Sequence, residues 1–357
     1  MKKLVTAAGA VALAVGLIAV GSPADAAEEI KMTAASGLPP FSNGTKQLAK
    51  FVLPEINKRL AVKGNYSIKW TTGWAGSIAK QFDLFEAIES GIADIGFVNT
   101  LFEGAKLPME QITYVTPFHS ADLLGMVKVW EELQNEIPEL DQQYIKHNQV
   151  RLKVYGIPQY SFMSKFPIKS LDDLKGKKFG APGLAANWLK NTGATAVSGA
   201  LSQYYNSLQT GVYDGIIMLD NGIAAFKFYE VAPHITQVNI GAMLASNITV
   251  NKDKWDGLPQ EVRGIITQVV AEWQTQALNG ALADAKKSLK VAQSKGATLV
   301  QLPLSEVKKL ANSVPNVAKP WAKSIDDKGL PGSKLLNLYM AKSAAAGLSQ
   351  QRAWHKE

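Results

Sequence analysis

The feature that most constrains the fold is a succession of strand, helix, helix and strand between Pro167 and Gly215. The first strand is predicted at 178–181, and the pair Pro182-Gly183 closes it because proline and glycine interrupt regular structure. The second helix carries apolar and aromatic residues at i, i+3, i+4 and i+7, which form one helix face: Leu201, Tyr204, Tyr205 and Leu208. Such alternation is typical of α/β proteins, whose ligands bind beyond the carboxyl ends of the strands.

Length and composition set the broad class. The chain has 357 residues, of which 46% are hydrophobic and 19% charged, so it can form two globular domains. The formal net charge is +8, but lysines and arginines are scattered, which argues against a nucleic-acid partner. Cysteine is absent, which excludes disulfides, thiolate metal sites and a lipoprotein anchor.

The first 26 residues predict a cleavable signal peptide. Lys2 and Lys3 form a positive amino-terminal region, the apolar segment 4–20 follows, and residues 24–26 (ADA) provide a small-x-small cleavage site. We expect cleavage after Ala26 and release of the mature protein into the periplasm. The alternative is an uncleaved anchor helix, but the segment is short for a membrane span and a proline follows it.

The motifs of catalysis are missing. The four histidines are far apart, and none stands in HExxH or another zinc spacing. GxSxG, Walker and GxGxxG motifs do not occur. The sequence therefore predicts no catalytic residues, no metal, no cofactor and no enzyme. An enzyme assembled from residues distant in sequence stays open as an alternative.

Several candidate site residues follow predicted strands. Phe41 lies in the loop after a first strand at 29–35, and Asn99 ends a strand at 92–98. Trp74 stands in a short loop bounded by glycines, where it is hard to explain as core. Asp220 and Asn221 follow the strand that begins at Gly215. The alternatives are a turn with a helix cap for Phe41 and Asp220, and a loop asparagine bonded to its own backbone for Asn99.

Other segments carry simpler predictions. From Pro259 to Lys295 the chain has no further proline and apolar residues at helical spacing, so it predicts a helix too long for one small domain. We also predict a helix at 81–90 with Phe82 facing the core, a helix at 223–229, a strand at 238–240 and a fraying carboxyl-terminal tail.

Several motifs together resemble one family. The run SLDDLKGKKFGAP from Ser170 and the run ALSQYYNSLQTGVYDG that ends at Gly215 are similar to the signature of the periplasmic solute-binding subunits of TRAP transporters, the dicarboxylate-receptor (DctP-like) family. QFDLFEAIESGIADIGFVN at 81–99, NKDKWDGLPQEV at 251–262 and GATLVQLPLSEV at 296–307 fall in that family's order. The resemblance covers nearly the whole mature chain.

The resemblance implies an α/β fold of the periplasmic-binding-protein type. Two lobes, each a mixed β-sheet flanked by helices, would be joined by crossing strands and one long helix. We expect lobe I at 27–156 with about 243–285, and lobe II at 157–242 with about 286–357. A monomer would close around a small-molecule ligand and deliver it to small and large membrane subunits. A receptor that serves a periplasmic sensor kinase is the rival function.

The chain departs from the family where a ligand carboxylate would bind. The family's arginine, whose guanidinium holds two carboxylate oxygens, aligns with Gly180. The asparagine after the VDG-like turn aligns with Met218, an often basic residue with Tyr160, and an aromatic residue with Leu201. The pocket is therefore expected to be larger, more apolar and without its usual clamp.

Two classes of ligand remain open. An acid could be held by another cation, such as Lys178 or Lys80, or by backbone N–H groups. A neutral or cationic solute could instead meet the rings of Trp74 and Tyr160, with Asp220 as counter-charge. We favour the second class.

Overall fold

The computed structural model describes residues 27–199 and 201–357, so the predicted signal peptide lies outside the described residues. The strands are β1 Glu28–Ala35, β2 Tyr66–Gly73, β3 Ile95–Val98, β4 Gln149–Ile157, β5 Tyr160–Ser164, β6 Lys178–Ala181, β7 Thr195–Ser198, β8 Gly215–Leu219, β9 His234–Gln237, β10 Met243–Asn251 and β11 Thr298–Gln301. The helices are α1 Asn43–Gln47, α2 Leu53–Lys63, α3 Leu84–Glu89, α4 Ile112–Val115, α5 Leu123–Glu136, α6 Glu139–Ile145, α7 Leu201–Gln209, α8 Lys252–Gly257, α9 Gln260–Ser294, α10 Leu304–Ser313, α11 Ala318–Asp326 and α12 Gly332–Ala345. Helices α1 and α2 are joined by a π-helical stretch at Leu48–Val52.

The strands form two mixed sheets. The first has the order β2-β1-β3-β10-β4, and the second has the order β11-β9-β5-β8-β6-β7. In the first sheet β1 pairs in parallel with β2 and β3, whereas β10 runs antiparallel to β3 and β4. In the second sheet β5 is antiparallel to both β8 and β9, and β6 is parallel to its two neighbours. Each sheet is the centre of one lobe.

The chain crosses between the lobes in three places before α10, and α11 and α12 then return to pack against α4 and α5 of the first lobe. Strand β4 of the first sheet leads through Pro158 and Gln159 into β5 of the second, and β9 of the second sheet leads back to β10 of the first. The third crossing is α9, a helix of 35 residues that packs against β4 and against the turn after β8. Since 35 residues of helix rise about 50 Å, α9 can follow both lobes.

The α/β class and the long helix are confirmed, and five local predictions are wrong. The predicted succession of strand, helix, helix and strand differs, because Gly183–Leu189 is a 3-10 stretch and Thr195–Ser198 adds the strand β7 before α7. Phe82 is 48% exposed because α3 begins only at Leu84, so the helical spacing counted from Gln81 does not apply. Residues 223–229 form turns instead of a helix, and Lys227 has a left-handed φ of 55°. Residues 238–240 are not a strand, since Asn239 also has a positive φ of 51°.

The carboxyl-terminal tail is packed against the fold, contrary to the prediction of fraying. Trp354 is 1% exposed, and its Nε1 donates to the Pro117 carbonyl oxygen at 3.0 Å. Gln350 also bridges to His119. Within the described ranges, no helix combines the length and the hydropathy needed to span a bilayer.

Candidate functional site

A cavity of about 350 Å³, here called the interlobe cavity, has walls from both sheets and from α9. Its first-lobe wall contains Leu38, Phe41, Ser42, Asn43, Gly44, Lys46, Gln81, Phe97, Asn99, Leu101, Phe102, Tyr155, Ile157, Ala245 and Ser246. Its second-lobe wall contains Tyr160, Pro182, Leu201, Tyr204, Ile217, Met218, Leu219, Asn221, Gly222, Ala224, Ala225 and Phe226, and α9 adds Asp284, Lys287 and Ser288. Most of these side chains are apolar or aromatic, as in many small-molecule sites.

Strand ends position the polar side chains of the wall. Asn99 follows β3, and its Nδ2 donates to Ser246 Oγ on β10 at 2.9 Å. Tyr160 begins β5; its hydroxyl lies 3.1 Å from the Tyr114 hydroxyl, and burial raises its pKa. The cavity therefore lies beyond strand termini, the location that α/β topology favours for ligands.

Six of the ten predicted site residues are brought together in this wall: Phe41, Asn99, Tyr160, Leu201, Met218 and Asn221. Trp74, Lys178, Gly180 and Asp220 do not belong to it. Each of these four has a local reason for its placement.

Asp220 is directed away from the cavity even though its neighbour Asn221 lines it. The carboxylate is 1% exposed and accepts hydrogen bonds from Ser161 Oγ at 2.5 Å, Gln159 Nε2 at 3.0 Å and Gln237 Nε2 at 3.2 Å. Burial raises the pKa of Asp220, and the three hydrogen bonds oppose that shift. Asp220 thus organises the second sheet and is not placed to be the counter-charge of a ligand.

The proposed substitute cations and the loop tryptophan also lie elsewhere. Lys178 and Lys80 are exposed and outside the cavity wall. Trp74 is half-buried and packs against the main hydrophobic core. A loop residue can pack against the core even though its neighbours in sequence are glycines. The glycine-bounded position of Trp74 therefore did not show that its side chain lines the cavity.

Gly180 is buried in β6, where a tyrosine ring occupies the space that a side chain would need. A Cβ atom built on Gly180 would lie 2.8 Å from Cε2 of Tyr213. Tyr213 is 5% exposed and meets the Tyr204 ring edge to face, with ring centroids 5.9 Å apart. The Tyr213 ring therefore excludes any larger residue at the strand position that the resemblance assigns to arginine.

No arginine of the chain belongs to the cavity wall, and three of the four form ion pairs elsewhere. All four (59, 151, 263 and 352) lie within the described ranges, and none lines the interlobe cavity. The Arg151 side chain is 4% exposed and pairs with Glu110 at 3.1 Å and Asp141 at 2.5 Å. Arg59 pairs with Glu272 at 2.7 Å, and Arg352 pairs with Glu357.

The charged residues of the cavity were missed by sequence reasoning. Lys46 on α1 and Asp284 on α9 are separated by 3.9 Å between Nζ and Oδ2, and Lys287 is exposed on α9. These residues lie within helices and not at strand ends. The rule that ligands bind beyond strand ends, which identified Asn99 and Asn221, therefore did not identify them. The spacing Asp284, Lys287, Ser288 places all three on one helix face, which was the available signal.

Two aromatic rings meet across the cavity mouth. Phe41 of the first lobe is 53% exposed, and its ring lies edge to face with Phe226 of the second lobe at a centroid distance of 5.3 Å. Phe226 in turn stacks on Phe228 with 5.7 Å between centroids. The mouth thus carries a contact that exists only while the lobes are close together.

The wall also contains polar atoms without partners. The Tyr204 hydroxyl and the Oδ1 atoms of Asn43 and Asn221 are buried and accept or donate no hydrogen bond within the described part of the chain. Burial raises the pKa of Tyr204, so the hydroxyl stays neutral. No cluster of three or more metal-ligating side chains is found among the described residues.

Comparison with known proteins identifies the family to which the chain is similar. The family model of DctP, bacterial extracellular solute-binding protein family 7, matches residues 40–324. The ectoine-binding periplasmic protein TeaA of Halomonas elongata is 25% identical to this chain over 280 residues, covering 74% of this chain and 78% of the relative.

Solved structures share the fold. The ectoine-binding protein of the TeaABC TRAP transporter of H. elongata superposes with a TM-score of 0.76 at 20% identity, covering 88% of this chain and 100% of the other. A TRAP solute-binding protein from Rhodoferax ferrireducens in complex with copurified benzoate gives a TM-score of 0.78 at 18% identity, covering 89% and 98%. The predicted two-lobed, periplasmic-binding-protein type of fold is confirmed. Since the family model spans most of the chain, this solute-binding receptor belongs to the bacterial extracellular solute-binding proteins of family 7, the DctP family.

Proposed function

We propose that this receptor captures a small organic solute in the interlobe cavity without an arginine clamp and delivers it to the small and large membrane subunits of a TRAP transporter. One observation carries the proposal: none of the four arginines lines the cavity, and Gly180 has no room for one. The mainly apolar wall supports a solute with an apolar body, and the lack of an arginine clamp supports a neutral or cationic solute over a simple carboxylate, although Lys46 and Lys287 line the cavity beside Asp284. The copurified benzoate of the R. ferrireducens relative supports a ligand of about one ring in size.

We assign ligand contacts to the predicted residues that line the cavity, namely Phe41, Asn99, Tyr160, Leu201, Met218 and Asn221. The lobe boundaries proposed are 27–156 with about 243–285, and 157–242 with about 286–357. The crossings at Pro158 and between β9 and β10 support the limits at 156 and 242, whereas α11 and α12 pack against α4 and α5 and associate the end of the chain with the first lobe. The mature chain is proposed to begin at Ala27, to act in the periplasm as a monomer and to catalyse no reaction.

Thermal unfolding with a panel of acids, aromatics, amines and sugars tests the function. A solute that binds only the folded state raises the midpoint in proportion to the logarithm of its concentration over Kd, and a receptor must return that solute unchanged. Ala224→Trp adds bulk at a half-buried position of the wall and should abolish the shift, whereas Ala344→Trp at an exposed position of α12 should retain it.

Chemical conversion of any panel compound would contradict the receptor role, and so would an unchanged shift in Ala224→Trp. Sequencing of the periplasmic protein from its amino terminus tests the start at Ala27. Sedimentation of the purified protein tests the monomer, and uptake into vesicles that hold the membrane subunits tests delivery.

A further inference from the structure

Three side chains meet beside the interlobe cavity and connect the lobes. Asn43 begins α1 in the first lobe, Tyr155 lies on the crossing strand β4, and Asn221 lies in the turn after β8 of the second lobe. Asn43 Nδ2 donates to the Tyr155 hydroxyl at 3.4 Å and to the Ala277 carbonyl oxygen at 3.1 Å, and Asn221 Nδ2 donates to the same hydroxyl at 3.1 Å. Because a carbonyl can only accept, Ala277 fixes the orientation of the Asn43 amide.

Both amides keep an unused acceptor. The Oδ1 atoms of Asn43 and Asn221 are buried and have no hydrogen-bond partner in the described ranges, and Asn221 is only 8% exposed. Buried polar atoms in folded proteins are almost always paired, because an unpaired one loses its bond to water without replacement. Two such atoms in the wall of one cavity point to a ligand that donates to them.

The hydroxyl between the two amides is a donor. Burial raises the pKa of Tyr155 to about 12, so the hydroxyl keeps its proton. It accepts from both amides, and no oxygen of the described residues accepts its own O–H. The cluster therefore offers two acceptors with one donor between them.

A carboxylate adds a further hydrogen-bond acceptor beside the cluster of Asn43, Tyr155 and Asn221. Asp284 contributes the single acidic side chain in the described wall of the cavity. It lies one helical turn after Gly280 on α9, and a Cβ built on Gly280 would be 3.4 Å from Asn43 Nδ2, so Asp284 stands on the side of the cavity that carries Asn43. Its cation partner Lys46 is 3.9 Å away, beyond hydrogen-bond distance. Lys287, the other cation of the wall, is exposed on α9.

We propose that Asn43, Asn221 and Asp284 recognise an N–H donor head group of the ligand, a carboxamide, an amidine or a primary amine, while its apolar body lies against Phe102, Tyr160 and other apolar groups of the wall. The inference rests on the proposed function, since it names the class of solute for the same cavity. A ligand carboxylate in this position would face two amide oxygens and the Asp284 carboxylate. Its donors would be the Tyr155 hydroxyl and Lys46, whose Nζ already lies 3.9 Å from Asp284 Oδ2.

The same contacts explain how a ligand would favour closure. Asn43 and Asn221 belong to different lobes, so one head group can donate to both only while the lobes are together. A ligand shifts a conformational equilibrium only through contacts that differ between the two states. The head group supplies such contacts, since an open receptor would offer one amide at a time.

Matched compounds of one shape test the head group. Benzoate, benzamide and benzamidine, and the corresponding cyclohexane carboxylate, carboxamide and carboxamidine, differ only in the group that would meet the amides. Calorimetric titration of the full mature protein should give a Kd for the best amide or amidine at least about tenfold below that of its carboxylate. A carboxylate that binds equally well or better would overturn the inference.

Leucine variants test the two asparagines. Asn43→Leu and Asn221→Leu should each weaken the preferred amide or amidine about tenfold and should not weaken the matching carboxylate to the same extent, so the preference for the N–H head group shrinks. Asn57→Leu is the matched control, because Asn57 on α2 also has a buried Oδ1 without a described partner but lies outside the cavity wall. If a cavity variant fails to fold, the comparison of compounds on the wild-type protein still decides the question.

The outcomes separate this inference from the receptor function. A protein that binds only the carboxylates remains a receptor but has no N–H head-group site. If no compound binds, mass spectrometry of the solute released on denaturing the protein purified from periplasm decides: a solute with an N–H donor supports the inference, and one without refutes it. Absence of any bound or released solute contradicts the receptor function itself.

Discussion

The ring of Phe41 in the first lobe lies edge to face against the ring of Phe226 in the second, with 5.3 Å between their centroids. Both side chains stand at the mouth of the interlobe cavity. The sheets themselves do not share strands, so this contact depends on the relative position of the lobes.

Removing either ring should weaken closure. Aromatic pairs contribute about 0.5–1.5 kcal/mol beyond their buried area, so Phe41→Ala and Phe226→Ala should each weaken binding of the most stabilising panel solute by roughly threefold to tenfold. The double variant should lose little more than either single one. Titration calorimetry gives the affinities, and small-angle scattering of the ligand-free protein should show a larger radius of gyration.

Phe82→Ala is the control for that series. Phe82 is 48% exposed and also forms an edge-to-face pair, but with Phe102 of the same lobe at 4.8 Å. Its loss should leave the radius of gyration unchanged. Additive losses in the Phe41 and Phe226 double variant would show that the two rings act independently, against the interlobe contact.

Restoring an arginine at Gly180 should fail unless Tyr213 is also reduced. Because a Cβ at Gly180 would lie 2.8 Å from the Tyr213 ring, Gly180→Arg should lower the free energy of unfolding by about 1–3 kcal/mol. In Gly180→Arg/Tyr213→Ala the arginine stem can enter the vacated space. The double variant should therefore be more stable than the sum of the two single changes by at least about 1 kcal/mol, and it alone should gain affinity for benzoate.

Urea unfolding of the four proteins measures this coupling. Gly257→Arg is the matched control, since a Cβ there meets no atom within 4 Å, and its stability should stay close to that of the wild type. Full stability of the single Gly180→Arg variant would mean that Tyr213 does not exclude the side chain.

Glu103 should make the protein less stable at neutral pH than in mild acid. Burial, with a smaller contribution from the charge of Glu86, raises the pKa of Glu103 from 4.5 to about 7. The folded protein then binds this proton more tightly than the unfolded chain, so the contribution to stability is full below pH 4.5 and is lost as the pH rises through about 7. Glu103→Gln should stabilise the protein by roughly 2 kcal/mol at pH 8 and by little at pH 4.

Denaturant midpoints between pH 4 and pH 8 measure that difference. Glu29→Gln removes an exposed carboxylate of β1 and should have the same effect at both ends of the range. A Glu103→Gln variant whose stability runs parallel to that of the wild type would place the pH dependence on other groups.

The buried ion pair of Arg151 and Glu110 should stabilise the fold. Their side chains are 4% and 0% exposed and 3.1 Å apart, so Arg151→Met leaves a buried carboxylate without its cation and should cost about 3–5 kcal/mol. Arg151→Met/Glu110→Gln should recover much of that loss. Lys323→Met breaks an exposed pair with Asp327 and should cost less than about 1 kcal/mol. An Arg151→Met loss as small as that of Lys323→Met, measured by urea unfolding, would contradict the buried pair.

Much of the element order could be predicted, because hydrophobic periodicity and glycine or proline corners are local. The strand at Lys178–Ala181 has its predicted limits, and the long helix extends from Gln260 to Ser294. The failures are local in origin too. Left-handed residues such as Lys227 and Asn239 end regular structure where apolar periodicity alone would continue it.

Among the polar residues of the cavity wall, the sequence predicted only those at the ends of strands. Asn99 and Asn221 lie in the cavity wall, whereas Asp220, one residue before Asn221, is turned into the second sheet by three hydrogen bonds. Lys46 and Asp284, which meet at 3.9 Å, come from helices that are far apart in the chain.

The amino-acid sequence by itself determined the α/β class, the long helix and the lack of an arginine at position 180, since these depend on residue type and on spacing along the chain. Only the tertiary structure decided that Tyr213 fills the space beside Gly180 and that Asn43, Tyr155, Asn221 and Asp284 surround one cavity. The physical reason is that the direction of a side chain and its partners are set by packing between distant segments, which no local pattern records.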